Sequence, residues 1–122
     1  MTRSWLRPCG ANTMTLTEAA WLAGFFDGEG SLSRYMSGRN RNYPSWVISV
    51  PNTNLAALKR CAAYTGAGRI NPKKVKPRHQ PQWQWRVDRQ RDIEAVCRQM
   101  LPYLIIKRRA VESFLSEWID VP

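Results

Sequence analysis

The segment WLAGFFDGEGS spans residues 21–31. It closes an apolar run over residues 19–26 and delivers two carboxylates, Asp27 and Glu29, separated by glycines. Thr17 followed by Glu18 predicts a helix start, because a threonine caps free backbone N–H groups and an acid is favoured at the positive end of the helix dipole. The helix is expected to run to about Asp27 and to stop at Gly28 and Gly30. Ala20, Ala23, Gly24 and Asp27 then share one stripe of little bulk, along which a second copy of the helix can approach closely. Trp21, Leu22, Phe25 and Phe26 are left to face a core.

Downstream, residues 31–36 and 43–50 read as two strands joined by a polar loop around Gly38. In the second strand Trp46, Ile48 and Val50 alternate with Tyr43, Ser45, Val47 and Ser49, the pattern of a sheet with one buried face. Helices are expected on the tryptophan side. Asn52 or Thr53 can cap a helix through Leu55, Leu58, Cys61 and Ala62 that ends at Gly66 and Gly68. A second hairpin follows, with strands over residues 69–71 and 82–87. It points Trp83, Trp85 and Val87 inward and Gln82, Gln84 and Arg86 outward. The loop between them, PKKVKPRHQP, is basic and proline-rich. Arg34 falls on the side of Leu32 and Met36, so a bulge or a snorkelling side chain is expected there. Asp92 opens a helix that Pro102 breaks, and a last helix is expected over residues 105–119. The order αββαββαα predicts an α+β fold in which an antiparallel sheet carries helices on one face and leaves the other polar and basic. Residues 1–14 lack periodicity and read as a flexible N-terminal arm before a single domain over residues 15–122.

The charge is as telling as the pattern. Nineteen Lys and Arg against nine Asp and Glu give a net charge of +10, which makes a polyanion the leading partner class. No acid occurs between Glu29 and Asp88, whereas eleven basic residues do. At 122 residues and 43% hydrophobic content the chain suits one core. The apolar run is far short of the roughly 20 residues needed to cross a bilayer, and no signal peptide precedes it, so a soluble, non-secreted protein with no membrane partner is expected. Cys9, Cys61 and Cys97 are odd in number, lack CxxC spacing and have one histidine, His79, for company. That supports neither a disulfide framework nor a zinc site, and Cys61 and Cys97 read as small core residues of a reduced, intracellular protein.

LAGFFDGEG, residues 22–30, resembles the signature of the LAGLIDADG homing endonuclease family, matching at the leucine, alanine, glycine, both acids and the final glycine. The resemblance implies a site-specific, Mg²⁺-dependent DNA endonuclease encoded within a mobile intron, in a bacterial cytoplasm or an organelle. It implies that Glu29 binds the catalytic metal, with Mn²⁺ or Ca²⁺ able to substitute for binding, while Asp27 ties off the helix pair. Magnesium suits such a site because it takes few protein carboxylates and completes its shell with phosphate and water. PYLIIK, residues 102–107, resembles the family segment whose lysine lies beside the active site, which makes Lys107 a candidate for opposing the charge of the reacting phosphate. VPN, residues 50–52, resembles the place of a water-ordering polar residue, so Asn52 joins the candidate catalytic set. One chain carries one signature, so cutting both strands implies a homodimer across Ala20, Ala23, Gly24 and Asp27.

Strand alternation together with the resemblance nominates Ser33, Tyr35, Tyr43, Ser45, Ser49, Arg69, Asn71, Lys73, Gln82, Gln84 and Arg86 for double-stranded DNA. A binding-only member of the same fold, either an intron maturase gripping RNA or a transcription regulator, is the chief alternative. A basic ribosome-associated protein is a more distant one, and it would not require the small-residue stripe.

Overall fold

The structure, a computed structural model, describes residues 10–119. Helix α1 (Leu16–Glu29) leads into strands β1 (Ser31–Ser37) and β2 (Tyr43–Asn52). Helix α2 (Leu55–Thr65), strands β3 (Arg69–Lys73) and β4 (Gln82–Val87), and helix α3 (Gln90–Met100) follow. A 3₁₀ turn, Leu101–Tyr103, links α3 to α4 (Arg108–Ile119). The expected αββαββαα order is therefore observed, with the sheet antiparallel throughout in the order β1-β2-β4-β3.

The start of α1 differs from expectation. Thr15, not Thr17, is the cap: its Oγ1 accepts from the Glu18 N–H at 3.1 Å, and Glu18 Oε1 accepts from the Thr15 N–H at 3.0 Å. This reciprocal pair satisfies two free donors at once, which Thr17, inside the first turn, cannot do. Thr15→Ala is expected to lower stability by about 1 kcal/mol, seen as a reduced urea midpoint at unchanged slope. The end of the helix differs too. Gly28 remains helical, Glu29 is the last helical residue, and Gly30 caps with its N–H on the Phe26 carbonyl at 2.9 Å. Gly30 is required sterically, since a Cβ there would stand 2.2 Å from the Phe26 ring.

Residues paired across strands share a face, so the register Leu32↔Ile48, Arg34↔Trp46, Ile48↔Val87, Val50↔Trp85 and Ile70↔Trp85 defines one side of the sheet. That side is the core: Trp46, Ile48, Val50, Trp85 and Val87 are buried in one cluster with Leu22 and Phe26 of α1, Leu58 of α2, Ile93 and Val96 of α3 and Phe114 of α4. The buried Trp85 indole N–H is satisfied by the Ala67 carbonyl at 3.0 Å. Arg34 keeps regular register without a bulge. Its guanidinium lies 5.9 Å from the Trp46 ring centroid and pairs with Glu117 of α4 at 2.7 Å, so the side chain snorkels along the core edge to an acid 83 residues away.

The other helix starts are also shifted. Asn54 caps α2, accepting from the Ala57 N–H, while Asn52 ends β2 and Thr53 lies between them. Helix α2 stops at Gly66, whose φ of 63° is left-handed. Arg89 precedes α3 without a side-chain cap, and Asp92 sits buried in its first turn, accepting from the Gly10 N–H at 2.7 Å. Helix α4 begins at Arg108, three residues after the expected Ile105, because Ile105, Ile106 and Lys107 form a turn held by Asp27. Residues 1–9 of the expected arm lie outside the described residues, but residues 10–14 are fastened. Met14 N–H and the Asn12 carbonyl both bond the Gln99 carboxamide, and Met14 is buried. Cys61 and Cys97 are buried free thiols as expected. Burial pushes both up to about 12, which keeps them protonated and unreactive at neutral pH. No helix among the described residues is long and apolar enough to cross a membrane.

Candidate active site and nucleic-acid interface

The end of α1 is organised by Asp27. Its two carboxylate oxygens accept from the backbone N–H groups of Ile105 at 2.8 Å and Lys107 at 2.9 Å, and the Lys107 ammonium returns to the Asp27 carbonyl at 3.0 Å. Asp27 is only 9% exposed. The structure thus brings Asp27 and Lys107 together, but Asp27 leaves the expected dimer stripe and ties the turn before α4 within its own chain. Ala23 leaves the stripe as well, because at 0% exposure it belongs to the core. The open face of α1 runs instead through half-buried Ala20 and exposed Gly24 and Gly28. A Cβ on either glycine would meet nothing within 4 Å. Trp21 and Phe25 pack against the core as expected but are only half-buried, at its margin. They stack at 5.2 Å, Tyr64 of α2 meets Trp21 edge-on, and Arg60 lies over the same indole.

Glu29 is exposed at the last position of α1. A carboxylate there meets the negative end of the helix dipole, and α1 has no basic residue in its own last turn. The Lys107 ammonium bonds one of these carbonyls, that of Asp27, and no ion pair joins it to Glu29. Among the described residues Glu29 has no ion pair, so its position favours a further cation. No group of three or more His, Cys, Asp or Glu able to hold a metal exists among the described residues. A divalent ion at Glu29 would rest on few protein carboxylates, which fits magnesium, an ion that takes one or two carboxylates and leaves the rest to phosphate and water.

Asn52 is placed with these groups only in part. The β1–β2 register begins at Ser31↔Ser49, which sets the end of α1 and the last residues of β2 at the same end of the sheet. The Asn52 carboxamide oxygen, however, accepts from the Asn54 N–H at 2.8 Å, leaving its amide nitrogen as the group able to order water.

The sheet face away from the helices carries Ser33, Tyr35, Tyr43, Ser45, Ser49, Arg69, Asn71, Lys73, Gln82, Gln84 and Arg86, all eleven in one alternating register. Gln84 donates to the Ser49 hydroxyl, and Ser37 and Ser45 share a hydrogen bond. Val47 shares this face as its alternation predicts, and Ser31, Ser37 and Pro51 join it without having been expected there; alternation through the whole of each strand would have found them. At the β3–β4 loop a concavity of about 320 Å³ is lined by Thr53, Lys74, Val75, Lys76, His79, Gln80 and Gln82. The basic, proline-rich run signals its charge, but the approach of Thr53 from the β2–α2 turn has no sequence signature.

These features agree with comparisons against known proteins. A family model described as LAGLIDADG endonuclease matches residues 22–114. A search of curated proteins found no match. Among solved structures, the homing endonuclease I-CvuI in complex with its target is similar at 20% identity and TM-score 0.69, over 83% of this chain and 65% of that one. The archaeal intron-encoded homing endonuclease I-Vdi141I complexed with DNA is similar at 21% identity and TM-score 0.69, over 82% of this chain and 65% of that one. The group I intron-encoded homing endonuclease I-CeuI complexed with DNA matches at 18% identity and TM-score 0.64, over 89% and 58%. The chain thus spans slightly less than two thirds of the solved chains it matches first. With the family match reaching from the signature on α1 through the whole sheet into α4, the chain belongs to the LAGLIDADG endonuclease family.

Proposed function

We propose that this protein is a site-specific endonuclease that cuts both strands of a long, pseudo-palindromic DNA site as a homodimer with Mg²⁺, and that it is encoded within a mobile intron. The observation that carries the reading is Glu29, an exposed carboxylate with no ion pair among the described residues, at the end of a helix whose open face runs through Ala20, Gly24 and Gly28. An acid near phosphates weakens the grip of a binder, whereas a carboxylate free to hold a metal is what phosphodiester hydrolysis needs.

In this reading Glu29 of each copy holds the metal, whose chemistry when bound is to acidify a water and to stabilise charge on phosphoryl and leaving oxygens. Asp27 fixes the turn that carries Lys107 through two backbone N–H groups. Lys107, steadied on the Asp27 carbonyl, directs positive charge toward the reacting phosphate. Asn52 orders water through its amide nitrogen. The open sheet face reads base edges in the groove, and Lys74, Lys76 and His79 around the loop concavity meet the backbone.

Incubation with a randomised duplex library and Mg²⁺, followed by sequencing of cut ends, tests the proposal. Recurrent paired breaks support it; DNA or RNA binding without cleavage would instead place the chain among binding-only members. The cationic face also sets an expectation for salt. Log K for duplex DNA should fall with log salt by about 0.9 for each phosphate neutralised, a slope of several units overall. A flat response in titrations across salt concentrations would remove DNA as the partner.

A further inference from the structure

An acid stands among the cations of the open face. Asp88 follows β4 directly and is the first acidic residue after Glu29 in the sequence. Arg69 and Arg86 are direct partners across β3 and β4 and lie on the open face, so two like charges face each other there, an arrangement that is unfavourable if left alone. One Asp88 carboxylate oxygen, Oδ2, meets both: Arg69 Nη2 at 3.2 Å and Arg86 Nε at 3.8 Å. The backbone beneath is fixed as well. The Gln90 carboxamide donates to the Asp88 carbonyl at 2.8 Å and exchanges two hydrogen bonds with the Trp46 backbone, continuing the central β2–β4 ladder beyond its last pair.

On the DNA-binding reading given above, on which this inference rests, a carboxylate here lowers affinity for any sequence by repelling phosphate. We propose that Asp88 is a specificity-determining positioning residue, which holds Arg69 and Arg86 side by side as a paired reader of base edges. Arginine reads guanine through two N–H donors to O6 and N7, and a flexible side chain must be ordered to present them together. Each guanidinium has five N–H donors and gives Asp88 only one edge contact, leaving the other donors for the groove. Free of Asp88, the same two arginines would slide to the nearest phosphates and bind every sequence more alike. Asp88 therefore trades affinity for discrimination.

The experiment uses the full chain. A preferred duplex is first selected from a randomised library by binding to the wild type, in Ca²⁺ so that turnover does not interfere. Affinities for that duplex and for a random-sequence duplex are then measured for the wild type, Asp88→Asn and Asp88→Glu. Asp88→Asn is expected to bind the random duplex about two- to threefold tighter and to lose on the order of tenfold in the preferred-to-random ratio, the loss falling at the base pairs under the arginines. Asp88→Glu should keep more of the ratio. In an Arg69→Ala, Arg86→Ala background, Asp88→Asn should leave the ratio unchanged. If the single variant tightens both duplexes equally, Asp88 is only a charge and the proposal falls. If the wild type binds no duplex at all, the DNA reading falls and takes the proposal with it, a result distinct from an unchanged ratio.

Discussion

Glu29→Gln is expected to abolish DNA cleavage, by roughly a thousandfold or more, while the variant folds and binds DNA as well as the wild type or better. Glu29 is exposed, so no packing is lost. Its charge sits against the negative end of α1, and removing it relieves a repulsion of about 0.3–1 kcal/mol, so the melting temperature should hold or rise. Phosphate repulsion is removed too, which should tighten duplex binding a few-fold at low salt. The amide is close in shape to the carboxylate but carries no charge, so loss of cutting with retained binding isolates the metal-holding role. Nicking of a supercoiled target, followed over time with Mg²⁺, gives the readout. Undiminished nicking would remove Glu29 from the metal site and leave the chain's chemistry without a carboxylate.

What the sequence discloses and what it withholds follow from the range of each interaction. Strand alternation is local, so Trp46, Ile48 and Val50 could be set against Ser45 and Ser49, and Trp85 against Gln84, without any knowledge of the partner strand. The same locality placed all eleven nominated residues on one face. Arg34 breaks the alternation, which signals a bulge or a snorkelling side chain, but its partner, Glu117, is 83 residues distant and no window of sequence names it. Asp27 is hidden for the same reason. It reads as the foot of a dimer stripe until the backbone of Ile105 and Lys107, 78 and 80 residues on, is seen to be its partner.

Other differences have local signatures. Thr15 and Glu18 stand at the spacing of a capping box, whereas Thr17 has Ala20 in the matching place. The polar run from Asn52 to Asn54 offers three caps, and only the geometry of the chain leaving β2 selects Asn54. Gly28 shows why a glycine is a weak stop signal. It costs about 1 kcal/mol in a helix relative to alanine, yet α1 continues through it because the Gly30 N–H completes a bond to Phe26 one turn back. On the homodimer proposed above, that cost has a reason, since a helix surface of low bulk is what a second helix needs.

The stripe that Ala20, Gly24 and Gly28 form leads to the second large effect, on assembly. Gly24→Leu is expected to give a folded monomer that neither cuts nor binds its target tightly. In the single chain the substitution is harmless, because a Cβ at Gly24 meets nothing within 4 Å and the residue is exposed. Replacing a mid-helix glycine by leucine should even stabilise the monomer, by somewhat under 1 kcal/mol. In a C2 dimer the same position lies near the axis, so each leucine intrudes on the partner helix and the intrusion occurs twice. Overpacking costs about 1–3 kcal/mol per site, so the doubled penalty weakens association on the order of a hundredfold. Loss of the pair also halves the DNA contact and separates the two Glu29 carboxylates. Two inverted half-sites spanning about 20 bp, roughly two helical turns, would then be engaged one at a time. Gly28→Leu should act in the same direction, whereas Ala23→Leu should unfold the chain instead, since Ala23 is fully buried in its own core. Light scattering of the free and DNA-bound proteins, paired with thermal unfolding, separates these outcomes. A Gly24→Leu variant that stays dimeric, or a wild-type monomer that makes double-strand breaks, would move the interface off α1 and with it the paired active site.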